Sequence, residues 1–122
     1  NWSDKTILLV EDDEISMEFL TELLASSKVN LISAIDGIEA VEKCKNNKLI
    51  DLILMDIRLP NMNGKEAMLA IKKQCPDKIV IAQTAFAMSG DKEKYLKLGF
   101  DDYISKPIIM TELIKLISRY FN

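Results

Sequence analysis

The sequence contains no histidine. That excludes a histidine-based catalytic triad and any metal site built on imidazole. Cysteine is nearly as scarce: Cys44 and Cys75 are the 2 in the chain, far apart and outside any CxxC, which fits reduced structural thiols rather than a disulfide framework. With 4 glycines and 3 prolines the composition is neither collagen-like nor low-complexity. No segment approaches the roughly 20 consecutive apolar residues of a membrane span, and the start carries no signal-peptide pattern. A basic excess is also missing. Lys and Arg number 16 against 19 Asp and Glu, a net charge of −3, so no basic footprint for direct nucleic-acid binding is present. A cytoplasmic location without membrane contact is the expectation. The first residue is Asn1, not an initiator Met, as in a piece cut or trimmed from a longer protein.

What is there is an ordinary globular composition, 48% hydrophobic and 29% charged over 122 residues, enough for one domain spanning 1–122. A domain near this size buries roughly two-thirds of its unfolded surface and can hold a core without staples. Short apolar runs alternate with amphipathic stretches throughout. Residues 6–10 read as a buried strand, 29–34 as a shorter one, 49–55 as a third running into Asp56, 78–83 as a fourth, and 100–105 contain a fifth. Between them, Ile15, Phe19, Leu20, Leu23 and Leu24 recur at helical spacing. Asp36-Gly37 reads as a turn and helix start, with Ala40, Val41 and Cys44 on one face. Helices are predicted over about 65–73, about 89–98 with Gly99 as its C-cap, and about 111–121 with Leu113, Leu116, Ile117 and Tyr120 facing inward. The last helix has a weak start, since Ile109 and Met110 offer no cap and only Thr111 has a hydroxyl.

Five strands, each followed by a helix, predict an α/β fold with a parallel sheet covered on both faces. Right-handed crossovers place every strand's C-terminal end on one edge, where open sheets of this kind bind ligands. That edge collects Glu11, Asp12 and Asp13 from the first strand, Asp56 from the third, Thr84 from the fourth and Lys106-Pro107 from beyond the fifth. Any one of these has an ordinary explanation as a turn or cap residue. Their convergence from four places in the chain does not. Packed carboxylates repel and call for a counter-charge. Oxygen ligands suit a hard cation such as Mg²⁺, which takes one or two carboxylates together with waters and phosphate oxygens. A lysine and a threonine hydroxyl suit a phosphate, and a carboxylate can serve as a phosphoryl nucleophile.

On these residues the chain resembles the receiver domain of two-component response regulators over essentially its whole length. The resemblance lies in Leu8-Leu9-Val10-Glu11-Asp12-Asp13, in Asp51-Leu52-Ile53-Leu54-Met55-Asp56-Ile57-Arg58-Leu59-Pro60 with Gly64, in Gln83-Thr84-Ala85, and in Asp102-Tyr103-Ile104-Ser105-Lys106-Pro107. It implies a flavodoxin-like receiver fold with strand order 2-1-3-4-5, an order known from a receiver of this family. It implies Asp56 as phosphoacceptor, with Thr84 and Lys106 as phosphoryl partners and Tyr103 as the aromatic switch residue. It implies a Mg²⁺ set of Glu11 through water, Asp12, Asp56 and the backbone carbonyl of Arg58, and a cis Lys106-Pro107 bond. Asp13 reads as a helix N-terminal residue favoured by the dipole. The implied partner is a histidine kinase or histidine phosphotransfer domain, since a chain without histidine cannot be its own phosphohistidine donor. The 84–91 and 101–108 segments look most like receivers fused to hybrid sensor histidine kinases; a stand-alone response regulator is the alternative. Arg58 and Phe86 are expected to crowd the water that would hydrolyse an aspartyl phosphate. Two rivals fit less well. An aspartate-nucleophile phosphatase wants a second acid where Arg58 stands, and a flavodoxin-like cofactor site wants a Gly- and hydroxyl-rich loop where Glu11-Asp12-Asp13 would repel a flavin phosphate.

Overall fold

The structure is a computed structural model, and it describes residues 1–85 and 91–121. The expected helix start at Ser89, the crowding by Phe86 and most of the 85–90 loop lie outside those residues. Ten elements alternate: β1 Thr6–Val10, α1 Glu14–Ala25, β2 Asn30–Ala34, α2 Gly37–Asn46, β3 Leu52–Asp56, α3 Gly64–Gln74, β4 Ile79–Thr84, α4 Asp91–Leu98, β5 Asp102–Ser105 and α5 Met110–Phe121. The five strands form one parallel sheet in the order β2-β1-β3-β4-β5, as expected.

Strand alternation divides the core into two layers. Ile7 and Leu9 of β1 and Leu52 and Leu54 of β3 pack with Leu20 and Leu24 of α1 and Leu113, Leu116 and Ile117 of α5. Their neighbours Leu8, Val10, Ile53 and Met55 point the other way, onto Ala40 and Cys44 of α2 and Ala67, Met68 and Ile71 of α3. Apolar residues on both faces of β1 and β3 are what a sheet covered on both sides requires. β2 departs from that pattern because it is an edge strand; only Ala34 in it is fully buried.

Local chemistry sets the helix ends. Asp13, Asp36 and Asn63 cap α1, α2 and α3, their side chains accepting from the backbone N–H groups of Ser16, Glu39 and Glu66 at 2.8–2.9 Å. α4 ends as its Gly99 predicts. With φ at 125°, Gly99 lets its own N–H reach Leu96 and the Phe100 N–H reach Tyr95, a Schellman closure. α5 begins without a side-chain cap on Ile109, whose carbonyl accepts from Leu113 N–H. The Lys106-Pro107 bond is cis.

One expectation changes, and one buried residue was not foreseen. Leu20 and Leu24 hold α1 to the sheet, but Ile15 and Phe19, at the same helical spacing, are 76% and 48% exposed. Trp2, which no sequence pattern singled out, is buried, edge-on to Phe121 at 5.4 Å, and its backbone N–H donates to the Ser27 carbonyl.

Candidate functional site

The parallel register brings the strand ends to one edge. Val10 pairs with Met55 and Asp56 with Gln83, while Thr84 lies beside Ser105. Glu11 therefore leaves β1 next to Asp56, and Lys106 leaves β5 next to Thr84. A cavity of about 430 Å³ opens there, bounded among others by Glu11, Asp12, Asp56, Arg58, Thr84 and Lys106.

Lys106 is the hub. Its Nζ lies 3.0 Å from Asp56 Oδ2 and 3.1 Å from Glu11 Oε1, while its backbone N–H donates to the Thr84 carbonyl at 2.7 Å. The second oxygen of each carboxylate is held by backbone: Asp56 Oδ1 accepts from Arg58 N–H at 3.0 Å, and Glu11 Oε2 from Asp13 N–H at 3.1 Å. Glu11 and Asp56 are 2% and 6% exposed; Asp12 stands at the mouth in solvent.

Burial pushes the Glu11 carboxyl above the ordinary range, against the Asp13 N–H, and the nearby Asp56 charge adds to the push. Burial alone would lower the Lys106 ammonium, but the hydrogen bond and charge of Asp56, followed by those of Glu11, leave it raised. The cluster thus keeps one strong cation among three acids. Glu11, Asp12 and Asp56 each offer an oxygen within 4.8 Å of the others, an all-oxygen donor set that fits a second, hard cation such as Mg²⁺.

The residues read from the sequence thus sit together: Glu11, Asp12, Asp56, Arg58, Thr84 and Lys106 around one cavity. Tyr103 lies apart from the carboxylates. It is half-buried on β5, its ring stacked on Tyr95 of α4 at 5.6 Å and 18°. Tyr95 itself reaches the cavity wall. Sequence reasoning placed Tyr95 only on a helix and did not see the stack, because nothing in spacing links positions on α4 and β5.

Two further contacts were not legible in the sequence, although Gly64 itself belongs to the motif around Asp56. Gly64 opens α3 with its Cα hard against the end of β3: a Cβ there would lie 2.4 Å from the Asp56 carbonyl oxygen. The Asp101 carboxylate ties Lys72 at 2.5 Å and Val80 N–H at 2.8 Å, so it joins α3 and β4 below the site.

Comparison with known proteins agrees with this geometry. The family described as "Response regulator receiver domain" matches residues 7–118. Among curated proteins, the polar-differentiation response regulator DivK of Brucella anthropi is 38% identical over 122 residues, covering 97% of each chain; DivK of Brucella ovis is likewise 38% identical. Among solved structures, the receiver domain of the sensor histidine kinase PA1611 from Pseudomonas aeruginosa, with a magnesium ion in its active-site cleft, superposes with a TM-score of 0.87 at 35% identity, covering 96% of this chain and 97% of that one. A chain from the co-crystal structure of the Saccharomyces cerevisiae phosphotransfer protein Ypd1 with the receiver domain of Ssk1 gives 0.87 at 31% identity, covering 99% and 91%. The strand ends, the acid cluster with its lysine and a family match over nearly the whole length lead to one conclusion: this chain belongs to the response regulator receiver domains of two-component signalling.

Proposed function

We propose that residues 1–122 act as one receiver domain that accepts a phosphoryl group on Asp56 from a phosphohistidine partner. The observation that carries this reading is the Lys106 ammonium bridging Asp56 and Glu11, with Asp12 beside them at the cavity mouth. Phosphoryl transfer asks mainly for positioning and charge neutralisation. An Asp56 oxygen forms the new O–P bond, the N–P bond of the donor breaks, and its electron pair stays on the donor imidazole. Arg58 N–H and Lys106 fix the orientation of the Asp56 carboxylate before the donor arrives. Lys106 then neutralises charge on the phosphoryl oxygens, and the Thr84 hydroxyl donates to one of them. Glu11, Asp12, Asp56 and the Arg58 carbonyl would hold Mg²⁺, which supplies further charge neutralisation when bound. The magnesium ion in the PA1611 receiver supports that assignment.

The site suits an acceptor rather than a turnover phosphatase, because Arg58 occupies the place where a second acid would be needed. Exposed Ile15 and Phe19 on α1 give a protein donor an apolar footing next to the cavity, and the Ypd1 co-crystal supports a phosphotransfer partner. A cytoplasmic domain is the setting in which such partners meet; among the described residues no helix is long and apolar enough to cross a membrane. The receiver of the sensor kinase PA1611 supports an origin in a hybrid kinase, while the DivK relatives, matched over 97% of their own length, support a free regulator. Sequencing the parent gene upstream of Asn1 separates the two.

Incubation with a small acyl phosphate and Mg²⁺ should add one phosphoryl group by intact mass, and Asp56→Asn should remove that addition. Labelling of Asp56→Asn at the wild-type level would overturn the assignment.

A further inference from the structure

The loop between β3 and α3 carries Arg58 and is fixed at two levels. At its base the Ile57 N–H donates to the Gln83 carbonyl and the Gly64 N–H to the Ile57 carbonyl, both at 3.1 Å. At its crest the Met62 N–H donates to the Pro60 carbonyl at 2.7 Å, closing a γ-turn on Asn61. Asn61 has φ at 65°, which makes this the rarer and strained hand of that turn. A residue without glycine's freedom persists there only when its surroundings hold it.

The start of α2 supplies the hold. Asp36 Oδ2 accepts from Asn61 Nδ2 at 2.9 Å. Gly37 sits against the same turn: a Cβ on it would lie 2.3 Å from the Met62 carbonyl oxygen and 3.0 Å from Met62 Cβ. Asp36 is itself fixed. Its Oδ1 caps α2 on the Glu39 N–H at 2.8 Å, and Glu39 Oε1 accepts from the Ile35 N–H at 2.7 Å. Capping accounts for Oδ1 but leaves Oδ2 and the left-handed Asn61 unexplained. Between base and crest lies Arg58, which lines the carboxylate cavity. Mg²⁺ demands near-ideal octahedral geometry. A carbonyl on a fixed loop meets that demand without the ordering cost a free loop would bear.

We propose that Asp36 and Asn61 are positioning residues for the metal: their hydrogen bond holds the turn that fixes the Arg58 carbonyl as a Mg²⁺ ligand. This role presupposes the Mg²⁺ set of Glu11, Asp12, Asp56 and Arg58 and extends it beyond the cavity.

A double-mutant cycle read by calorimetric Mg²⁺ titration, with no phosphoryl donor, tests it. Asp36→Ser spends its one side-chain oxygen on the helix cap, and Asn61→Gly keeps the positive φ without the amide. Each should weaken Mg²⁺ binding by about two- to tenfold, the range of one net hydrogen bond. The double variant should bind no more weakly than Asp36→Ser alone. The cycle subtracts the charge lost at Asp36, so only the coupling of the two residues counts. In the metal-free chain either change should speed hydrogen exchange at the Arg58 amide, now bonded to Asp56 Oδ1, while the α2 amides keep their protection. Wild-type affinity in both single variants, additive losses in the double, unchanged Arg58 exchange, or losses that track fraying of α2 would each overturn this role. A wild type that binds no Mg²⁺ would overturn the metal site and this role with it; unchanged variants overturn this role alone.

Discussion

Cys44 and Cys75 carry the same thiol in different surroundings. Cys44 lies on the buried face of α2, and that burial pushes its thiol up to about 11; Cys75, past the end of α3, is partly exposed. Since the thiolate is the nucleophile, Cys75 should be alkylated first by iodoacetamide at pH 8, and Cys44 only once the chain is unfolded. Peptide mapping after limited alkylation reads this; equal labelling of the two in the folded state would refute it. Tyr120 offers a second residue-level test. Burial, then its hydrogen bond to Asp102 at 2.9 Å, pushes the phenol up to about 12 from 10.0. A raised folded pKa means the folded chain keeps a proton that the unfolded chain has lost. The stabilisation is therefore complete below about pH 10 and fades as the pH climbs toward 12. Urea midpoints should fall more steeply over that window in the wild type than in Tyr120→Phe. At this scale Asp56, Glu11 and Lys106 were legible because they break apolar strands at their ends. Asp102 holding Tyr120, and Lys78 buried against the Ile50 and Lys48 carbonyls, were not. Their partners are set by tertiary packing, with no periodicity to betray them.

Elements were read well in type and order and less well at their limits. Residues 49–51 were assigned to β3 on hydrophobicity, yet Leu49 is 77% exposed and the strand starts at Leu52. The start of α3 was read one residue late, at Lys65 rather than Gly64. Gly64 is also the tightest join between two elements at the site. An added Cβ would meet the Asp56 carbonyl oxygen at 2.4 Å and Ile57 Cα at 2.8 Å, both backbone atoms that cannot turn aside. Gly64→Ala should cost about 1–3 kcal/mol, as overpacking typically does, and should slow labelling of Asp56 by displacing its strand end. Denaturant unfolding together with acyl-phosphate kinetics checks both; unchanged stability would show that the helix start yields freely.

Across the whole molecule, α4 is the least anchored helix. None of its residues is fully buried, whereas α1, α2, α3 and α5 each bury at least two. Its ring contacts run through Tyr95, stacked on Tyr103 and edge-on to Phe100 at 6.0 Å. A helix with few buried contacts opens at low free energy. Amide exchange in α4 should therefore be faster than in the other four helices. On phosphorylation, the chemical-shift changes should spread over α4 and β5, and Thr84→Ala should suppress that spread while Asp56 still labels. Shifts confined to the phosphate's immediate contacts would argue against a path from Thr84 through Tyr103 to Tyr95. The sheet order came from resemblance, and the convergence of the acids from the topology rule. The aromatic stack appears only once α4 is set against β5.

The edge-on contact of Trp2 with Phe121 has a consequence for chain architecture. It holds the segment that leads into β1 beside the last turn of α5. Neighbouring ends let a fold be spliced and reopened elsewhere. A circular permutant joined from Asn122 to Asn1 by a short Gly-Ser bridge and cut in the exposed turn around Lys48 should fold, keep Trp2 shielded from a fluorescence quencher, and take a phosphoryl group on Asp56. The same adjacency suits the domain to being threaded into the middle of another protein, the chain entering ahead of β1 and leaving from α5 at neighbouring points.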